Sequence, residues 1–487
     1  MLFNSIDFAV FLPIVFILYW FVTQKNLLAQ NLLIVGASYL FYGWWDWRFL
    51  LLICASTVVD YFVGRGLDKQ EVKARRKVLL WTSIVVNLGI LGLFKYYNFF
   101  VESFVDVFSL FGVEMKAGSL DIILPVGISF YTFQTLSYSI DVYKRKLKPT
   151  KDFIAFSAFV SFFPQLVAGP IERASNLLPQ FYQKRKFDYS NAVDGMRQIL
   201  WGLFKKIVIA DNCAEYANII FNNSADYSGS ALVLGAVLFA FQIYGDFSGY
   251  SDIAIGTSRL FGFDLKQNFN FPYFSRDIAE FWRRWHISLS TWFRDYLYIP
   301  LGGSRGSIWM KVRNTFIIFI VSGFWHGANW TFVVWGALNA VYFLPLLLSN
   351  RNRVNIETVS KNTFLPSLKD LGMILFTFGL TVFAWIFFRA DNMEHAISYI
   401  ANMFSSSLFS LPYIIEPETG LAIIPKTILL LVALFLAVEW MGRDGQFGLS
   451  NVANIKRRAI RWSVYATLCL MIILFHGKQQ EFIYFQF

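Results

Sequence analysis

Charged residues are scarce in this sequence. Asp, Glu, Lys and Arg make up 15% of its 487 residues, against roughly 25% in ordinary soluble domains. Hydrophobic residues reach 56%, and 54 residues are phenylalanine. A soluble chain of this length would divide into about three domains. The composition instead predicts an integral membrane protein, in which helices satisfy their backbone polar groups internally.

Cysteine and histidine are also rare. The three cysteines, Cys54, Cys213 and Cys469, lie far apart, so neither a disulfide framework nor a cysteine metal site is expected. The four histidines lack the i, i+4 spacing of a zinc helix, and there is no Walker-type phosphate loop. We expect no metal and no bound cofactor. The first seven residues lack the basic region of a signal peptide, so the first apolar run is expected to remain as a helix.

Basic residues are in excess, giving a net charge of +11. In a soluble protein this excess would suggest nucleic acid as a partner. Here the basic residues cluster in short loops between apolar runs, which membrane topology explains, and no nucleic-acid partner is expected. The basic loops at 65–77 and 144–151 are predicted to be cytoplasmic. Counting spans back from them places the N-terminus outside.

Long apolar runs repeat along the chain, each near the ~20 residues that cross a bilayer. They predict an all-α, polytopic membrane helix bundle of roughly ten to twelve crossing or re-entrant elements, forming one integral-membrane domain over residues 1–487. An amphipathic region at 191–221 is expected at the membrane interface. The apolar runs lie near 8–22, 28–45, 49–64, 78–95, 121–139, 153–168, 229–261, 311–348, 370–389, 422–440 and 459–475.

The run 153–168 lies between two basic loops, at 144–151 and 184–186. If both loops are cytoplasmic, this run cannot cross the membrane. We predict a re-entrant segment that turns near Phe163-Pro164-Gln165 or near Ala168-Gly169-Pro170. Such irregular backbone is tolerated at membrane depth where protein covers it or it lines a wet cavity.

Two polar blocks interrupt the apolar pattern before residue 300. The block 244–252 carries Asp246 and a second carboxylate among Gly and Ser residues, which fits a helix-packing contact and a site role about equally. The block 270–296 contains Arg283, Arg284, Trp285 and His286. It has the charge pattern of a salt-bridged amphipathic helix, or of a basic aromatic pocket for phosphates. For the two arginines the structural interpretation is favoured.

A third block, 321–331, places His326 inside a long apolar run. A lone histidine in an apolar helix is more often structural, but intramembrane ionisable residues are candidates for function. Gly323 and Gly327 are expected to leave space for a substrate near the ring, and Asn329 adds a polar group. Burial keeps an imidazole neutral, as a general base requires.

Together these blocks resemble the membrane-bound O-acyltransferase family, and most closely its branch of alginate O-acetyltransferase subunits and D-alanyl-lipoteichoic acid transfer proteins. The resemblance covers essentially the whole chain. It is carried by the segments 162–171 (FFPQLVAGPI), 245–252 (GDFSGYSD), 282–292 (WRRWHISLSTW), 324–330 (FWHGANW) and 482–487 (FIYFQF).

The resemblance implies a ring of helices around a thin central funnel, with His326 at the family's near-invariant histidine. His286 matches a second active-site position. The implied donor is a cytoplasmic acyl thioester, and the implied acceptor is an extracytoplasmic hydroxyl. We therefore expect an O-acyltransferase in which His326 takes the proton of the hydroxyl, while His286 positions the donor or stabilises the oxyanion. Further candidate substrate contacts are Arg283, Arg284, Trp285, Trp325, Asn329 and Asp246.

The expected reaction is acetyl transfer, most simply from acetyl-CoA, for O-acetylation of an exopolysaccharide or a cell-wall glycan. The branch also implies an extracytoplasmic esterase-like partner and a multi-pass location, among lipid, in the bacterial cytoplasmic (inner) membrane. Two alternatives stay open: D-alanyl transfer from a carrier protein to a wall polymer, and a transporter or channel without chemistry.

Overall fold

The computed structural model describes residues 1–111, 120, 124–167, 169–361, 363–415 and 421–483. The described residues are largely α-helical, with one antiparallel strand pair, β1 (Ile414–Ile415) and β2 (Ala422–Ile423). The all-α prediction is confirmed. The chain divides into two compact units, residues 1–192 with 257–266, and residues 193–256 with 267–487. This division into compact units does not test the expectation of one integral-membrane domain, which stays a prediction.

The first unit contains nine helices among the residues described. They are α1 (Ile6–Ile17), α2 (Leu27–Asp46), α3 (Leu50–Lys69), α4 (Lys73–Leu91), α5 (Tyr97–Leu110), α6 (Ile128–Tyr143), α7 (Phe153–Ser161), α8 (Phe163–Leu166) and α9 (Ala174–Leu177).

The second unit holds most of the remaining helices, although α10 begins and α12 ends in the first. They are α10 (Tyr189–Leu203), α11 (Asp211–Asn222), α12 (Gly229–Leu260), α13 (Ile278–Arg284), α14 (Ile287–Phe293), α15 (Ile308–His326), α16 (Trp330–Leu348), α17 (Leu368–Arg389), α18 (Met393–Met403), α19 (Lys426–Gly442) and α20 (Arg458–Leu474).

Five helical stretches in the described chain are long and apolar enough to cross a membrane. They are Leu27–Lys69, Lys73–Ser109, Gly229–Leu260, Trp330–Leu348 and Leu368–Arg389. The first contains both α2 and α3, and the second contains α4 and most of α5. The polytopic helical prediction agrees with this pattern, because each of these stretches lies on an apolar run predicted from the sequence.

The region 153–166 is a broken helix. The nine residues of α7 extend only about 14 Å at 1.5 Å per residue, about half of the ~30 Å hydrocarbon core. Phe162, with φ −52° and ψ 105°, separates α7 from α8, where Pro164 occupies the first turn. The helix thus breaks beside the first of the two predicted turns, Phe163-Pro164-Gln165. The alternative turn includes Ala168, which lies outside the described residues, and the re-entrant path stays a prediction.

A buried carboxylate joins three helices of the first unit. One Asp60 oxygen, on α3, accepts hydrogen bonds from Ser83 on α4 (2.5 Å) and Ser139 on α6 (2.6 Å). Its other oxygen accepts from Asn87 at 2.7 Å. Because a buried charge needs such partners, the four side chains fix how these helices pack.

The region 191–221 contains a buried turn, and its expected position at the membrane interface stays a prediction. Here α10 leads into a π-helical turn, Phe204–Ala210, and then into α11. Every residue of that turn is buried, and Lys205 and Lys206 both pair with carboxylates. The sequence pattern was amphipathic because of these lysines, but tertiary partners bring them inside the second unit.

The apolar run 311–348 forms a helical hairpin, in which α15 ends at His326 and α16 begins at Trp330. Glycine allows the two helices to touch. A Cβ on Gly323 would lie 2.2 Å from the Phe332 carbonyl oxygen, and one on Gly336 would lie 2.4 Å from that of Phe319. A Cβ on Gly327 would lie 2.1 Å from the Phe332 ring. The expectation that Gly323 and Gly327 leave space for a substrate was therefore wrong, because Phe332 fills it.

Candidate active site

His326 lies at the last position of α15, where the helix stops before Gly327. Its side chain is buried, with the residue 3% exposed. The imidazole meets the ring of Trp335 on α16 edge-on, with centroids 5.3 Å apart. It meets Phe388 on α17 at the same distance. Three helices of the second unit thus fix the ring among apolar groups, where little water competes for a proton.

His286 occupies a bend between α13 and α14. Its backbone is left-handed, with φ 43° and ψ 54°, a region that non-glycine residues visit rarely and often at functional sites. The ring packs edge-on against Phe247 with centroids 4.6 Å apart. Its Nδ1 lies 3.2 Å from Oδ1 of Asn268. Burial lowers the pKa of His286 to about 3, so the ring is neutral at physiological pH.

Trp325 contacts both histidines. Its ring centroid lies 6.1 Å from that of His286 and 4.9 Å from that of His326. The two imidazoles, 40 positions apart in sequence, therefore flank one indole in the second unit. The sequence alone left open whether they meet, because no helical periodicity links the two positions.

Arg283 and Arg284 have protein partners. Arg283 donates to the backbone carbonyls of Asn352 (2.8 Å) and Asn355 (2.7 Å). Arg284 is paired with Glu280 at 2.9 Å and donates to the Asn270 carbonyl at 3.2 Å. These contacts match the structural interpretation favoured from the sequence. Their role as phosphate contacts stays a prediction.

Two further candidates also have clear structural contacts. Asn329 caps α16, because its Oδ1 accepts the Thr331 N–H at 3.0 Å. Its amide nitrogen donates to the Asp391 carbonyl at 2.7 Å.

Trp285 is buried, and its ring lies 5.1 Å from that of Trp385. Trp385 in turn stacks on Trp335 at 5.6 Å, so Trp285 belongs to the aromatic packing that reaches His326.

Asp246 lies in α12 and has two kinds of partner. One oxygen pairs with Lys206 at 2.7 Å, and the same lysine pairs with Asp211 at 2.8 Å. The other oxygen accepts the backbone N–H of Ile483 at 2.7 Å. Asp246 thus fastens the start of the C-terminal segment to the core of the second unit. Residues 484–487 of the tail motif lie outside the described residues.

A second buried cluster was missed from the sequence. Lys205 pairs with Asp252 at 2.5 Å. Glu439 on α19 accepts hydrogen bonds from Tyr244 (2.5 Å) and Trp201 (3.1 Å). Lys205, Asp252, Glu439 and Asn268 line a small polar cavity with room for about one water molecule. The sequence contained one signal for this cluster. Glu439 is an acidic residue inside the apolar run 422–440, and ionisable residues in such runs usually have a functional role.

A scan of the sequence against protein families matches residues 144–375 to MBOAT, the membrane-bound O-acyltransferase family. Both histidines lie within the match. Among similar proteins, a probable alginate O-acetylase of Pseudomonas aeruginosa is 40% identical over 442 residues, covering 90% of this chain and 82% of the relative. The chain belongs to the membrane-bound O-acyltransferase family. It is accordingly a multi-pass membrane enzyme that transfers acyl groups, as the sequence predicted.

Other members of the membrane-bound O-acyltransferase family are similar over different lengths. A peptidoglycan O-acetyltransferase of Helicobacter pylori is 34% identical over 528 residues, covering 100% of this chain and 98% of the relative. A teichoic acid D-alanyltransferase of Streptococcus thermophilus is 29% identical over 304 residues, covering 58% of this chain and 72% of the relative. Sequence identity to the O-acetylase and the O-acetyltransferase is thus higher than to the D-alanyltransferase, and it extends over more residues.

Proposed function

We propose that this protein O-acetylates a polysaccharide, taking the acetyl group from a cytoplasmic thioester, acetyl-CoA in the simplest case. The observation that carries the proposal is the placement of two imidazoles against one indole, Trp325, within the region matched to the family. The relatives named as alginate O-acetylase and peptidoglycan O-acetyltransferase support acetyl as the group and a glycan as the acceptor.

In the proposed reaction, the oxygen of an acceptor hydroxyl that enters from outside attacks the thioester carbonyl carbon, and the acetyl group passes from this first acceptor to the glycan. Neutral His326 accepts the hydroxyl proton as the new C–O bond forms. The tetrahedral intermediate then collapses, the C–S bond breaks, and the imidazolium returns its proton to the leaving thiolate. The products are the acetyl ester and a free thiol, and His326 is again neutral. Its apolar surroundings support this role because they exclude water that would hydrolyse the thioester.

The donor enters from the cytoplasm and the hydroxyl from outside, with both paths meeting near His326. The thin central funnel expected for the family would provide these paths. An extracytoplasmic esterase-like partner then completes delivery to the polymer. The membrane is the bacterial inner membrane, because a cytoplasmic thioester and an extracytoplasmic glycan face each other only there.

The test is acetyl transfer in inverted membrane vesicles, which retain partner proteins that are bound to the membrane. Labelled acetyl-CoA is added, and labelled glycan is measured. His326→Ala should bind acetyl-CoA as the wild type does but transfer acetyl at least about 100-fold more slowly, the usual contribution of a general base. His395→Ala, in α18, is the matched control and should keep the wild-type rate. Full transfer by His326→Ala would contradict the proposed role.

The same vesicles distinguish the alternatives. A D-alanyl thioester on a carrier protein, offered in place of acetyl-CoA, should yield no labelled polymer; efficient D-alanyl transfer would replace acetyl as the assigned group. Movement of label across the membrane without ester formation would instead indicate a transporter.

A further inference from the structure

Asn268 has a side-chain amide whose orientation is fixed. The residue is fully buried in the second unit, between α12 and α13. Its Oδ1 accepts the backbone N–H of Ser288 at 3.2 Å and the Ser288 hydroxyl at 2.8 Å. Its Nδ2 donates to the Ser251 hydroxyl at 3.1 Å. A flipped amide would aim its NH₂ group at the Ser288 N–H, which can only donate. The oxygen therefore faces Ser288.

This orientation determines the hydrogen on His286. Nδ1 of the ring lies 3.2 Å from the same Oδ1 of Asn268. The Ser288 hydroxyl lies 3.5 Å from Nδ1 but donates its hydrogen to Asn268 Oδ1 at the shorter distance of 2.8 Å. Because a carbonyl oxygen only accepts, the contact between Nδ1 and Oδ1 assigns the hydrogen to Nδ1. In a neutral imidazole the other nitrogen, Nε2, then holds the lone pair.

The backbone around the ring supports the same arrangement. The N–H of Ile287 donates to the Asn268 carbonyl at 2.9 Å, so Asn268 contacts both the ring of His286 and the residue after it. The left-handed backbone of His286 is what turns the ring toward Asn268. Asn268 is neutral, so it does not stabilise an imidazolium as a carboxylate would, and burial of the ring favours the neutral form.

We propose that Asn268 is a positioning residue that holds neutral His286 with hydrogen on Nδ1, so that Nε2 accepts a hydrogen bond from the attacking hydroxyl group, whose proton goes to His326. This inference rests on the proposed acyl transfer and sharpens it. An oxyanion requires an N–H donor, and a lone pair on Nε2 repels it. The inference therefore assigns His286 to the side of the hydroxyl nucleophile and excludes the neutral ring as an oxyanion donor.

The direct test is ¹⁵N NMR of detergent-solubilised, full-length protein labelled at histidine, which reports the tautomer without any activity. We expect one neutral ring with a protonated, pyrrole-type Nδ1 and a pyridine-type Nε2, and we expect its signals to disappear in His286→Gln. If no ring in the wild type has a protonated Nδ1, or if that ring persists in His286→Gln, the inference is overturned. A wild-type spectrum with no such ring overturns the inference even where His286→Gln fails to fold, and His286→Asn provides a second variant for the assignment.

The second test is the effect of Asn268 variants on acetyl transfer in vesicles. Asn268→Leu should lower kcat about 10- to 100-fold, the range typical of residues that orient a functional histidine, with KM for acetyl-CoA unchanged. Asn268→Asp should recover part of the rate, because its carboxylate still accepts from Nδ1 and from Ser288. Asn314→Leu, which removes an equally buried asparagine of α15, should keep the wild-type rate.

The outcomes separate the inference from the proposed function. Wild-type vesicles that acetylate no glycan would contradict the proposed function, while the NMR spectrum would still decide the tautomer. Wild-type acetylation that is lost in His286→Gln but kept at full kcat in Asn268→Leu would overturn the positioning role and leave the proposed function standing.

Discussion

At the scale of single residues, the second unit is organised by buried charges that are paired. Lys205 and Asp252 lie 2.5 Å apart with 4% and 11% of their side chains exposed, and Asp252 also accepts the Gln198 amide at 2.8 Å. Removing one partner of such a pair is more damaging than removing both, because it leaves a buried charge without compensation.

Lys205→Met should therefore destabilise the protein by about 3–5 kcal/mol, since it leaves the Asp252 carboxylate uncompensated. The double variant Lys205→Met/Asp252→Leu should recover a large part of this loss. The measurement is the free energy of unfolding in detergent by denaturant titration.

The matched control for this pair is Arg294→Met, which breaks the ion pair with Asp295. Those side chains are 57% and 28% exposed, and exposed pairs contribute less than about 1 kcal/mol. A loss in Lys205→Met no larger than that in Arg294→Met, or a double variant less stable than Lys205→Met, would show that the buried pair does not stabilise the fold in this way.

At the scale of elements, the hairpin of α15 and α16 determines where His326 lies. The helices touch through Gly323 and Gly336, at distances where any Cβ would overlap a backbone oxygen of the partner helix. Small residues commonly permit such close packing of membrane helices. The position of the His326 ring thus depends on the two glycines as much as on the aromatic side chains around it.

Gly323→Ala should lower acetyl transfer at least about 10-fold, because its Cβ must displace the Phe332 backbone and shift His326, whose correct placement the reaction requires. Gly379→Ala, in the neighbouring α17, is the control, since a Cβ there meets nothing within 4 Å. Its transfer rate should equal that of the wild type. Equal rates in the two variants, measured at equal amounts of folded protein in vesicles, would rule out a role for close helix contact.

The elements also show how far the sequence can predict. Periodicity and length predicted α2, α3, α12 and α17 to within a few residues, because each is a long apolar run with polar ends. The amphipathic pattern of 191–221 predicted a region at the membrane interface and did not reveal the burial of its central turn, Phe204–Ala210. That outcome depends on Asp211, Asp246 and Asp252, which lie up to 47 positions from the lysines they neutralise.

At the scale of the whole molecule, the path of the chain through the membrane rests on the basic loops. The broken helix α7–α8 is too short to cross a bilayer. If the segment is re-entrant, the residues on its two flanks face the same side, and the next predicted spans keep the orientation implied by the basic loops.

Single cysteines at Lys151 and Lys184, introduced after Cys54, Cys213 and Cys469 are replaced by serine, test this path. We expect both to react with a membrane-impermeant thiol reagent in inverted vesicles and neither to react in intact spheroplasts, because both loops are predicted to be cytoplasmic. A cysteine at Lys73, on the other predicted cytoplasmic loop, 65–77, provides the reference for sidedness. Reaction of the two flanking cysteines from opposite sides would show that 153–168 crosses the membrane.

The sequence by itself determined the class of this protein. Its shortage of charge and its repeated apolar runs require a helical membrane bundle, since unpaired backbone groups are too costly in lipid. Its local motifs, around His286 and His326, indicated the family. These properties are carried by composition and by short segments, so they need no knowledge of distant contacts.

Only the tertiary structure decided how the site is arranged. It placed Trp325 against both imidazoles, filled the expected gap beside Gly323 with Phe332, and set Asn268 against Nδ1 of His286. Apart from the contact between the neighbours Trp325 and His326, each of these contacts joins residues that no helical or strand period relates. These contacts are determined by how whole helices pack and by which atoms of the Asn268 amide donate and accept hydrogen bonds. A local stretch of sequence predicts neither the packing nor the orientation of the amide.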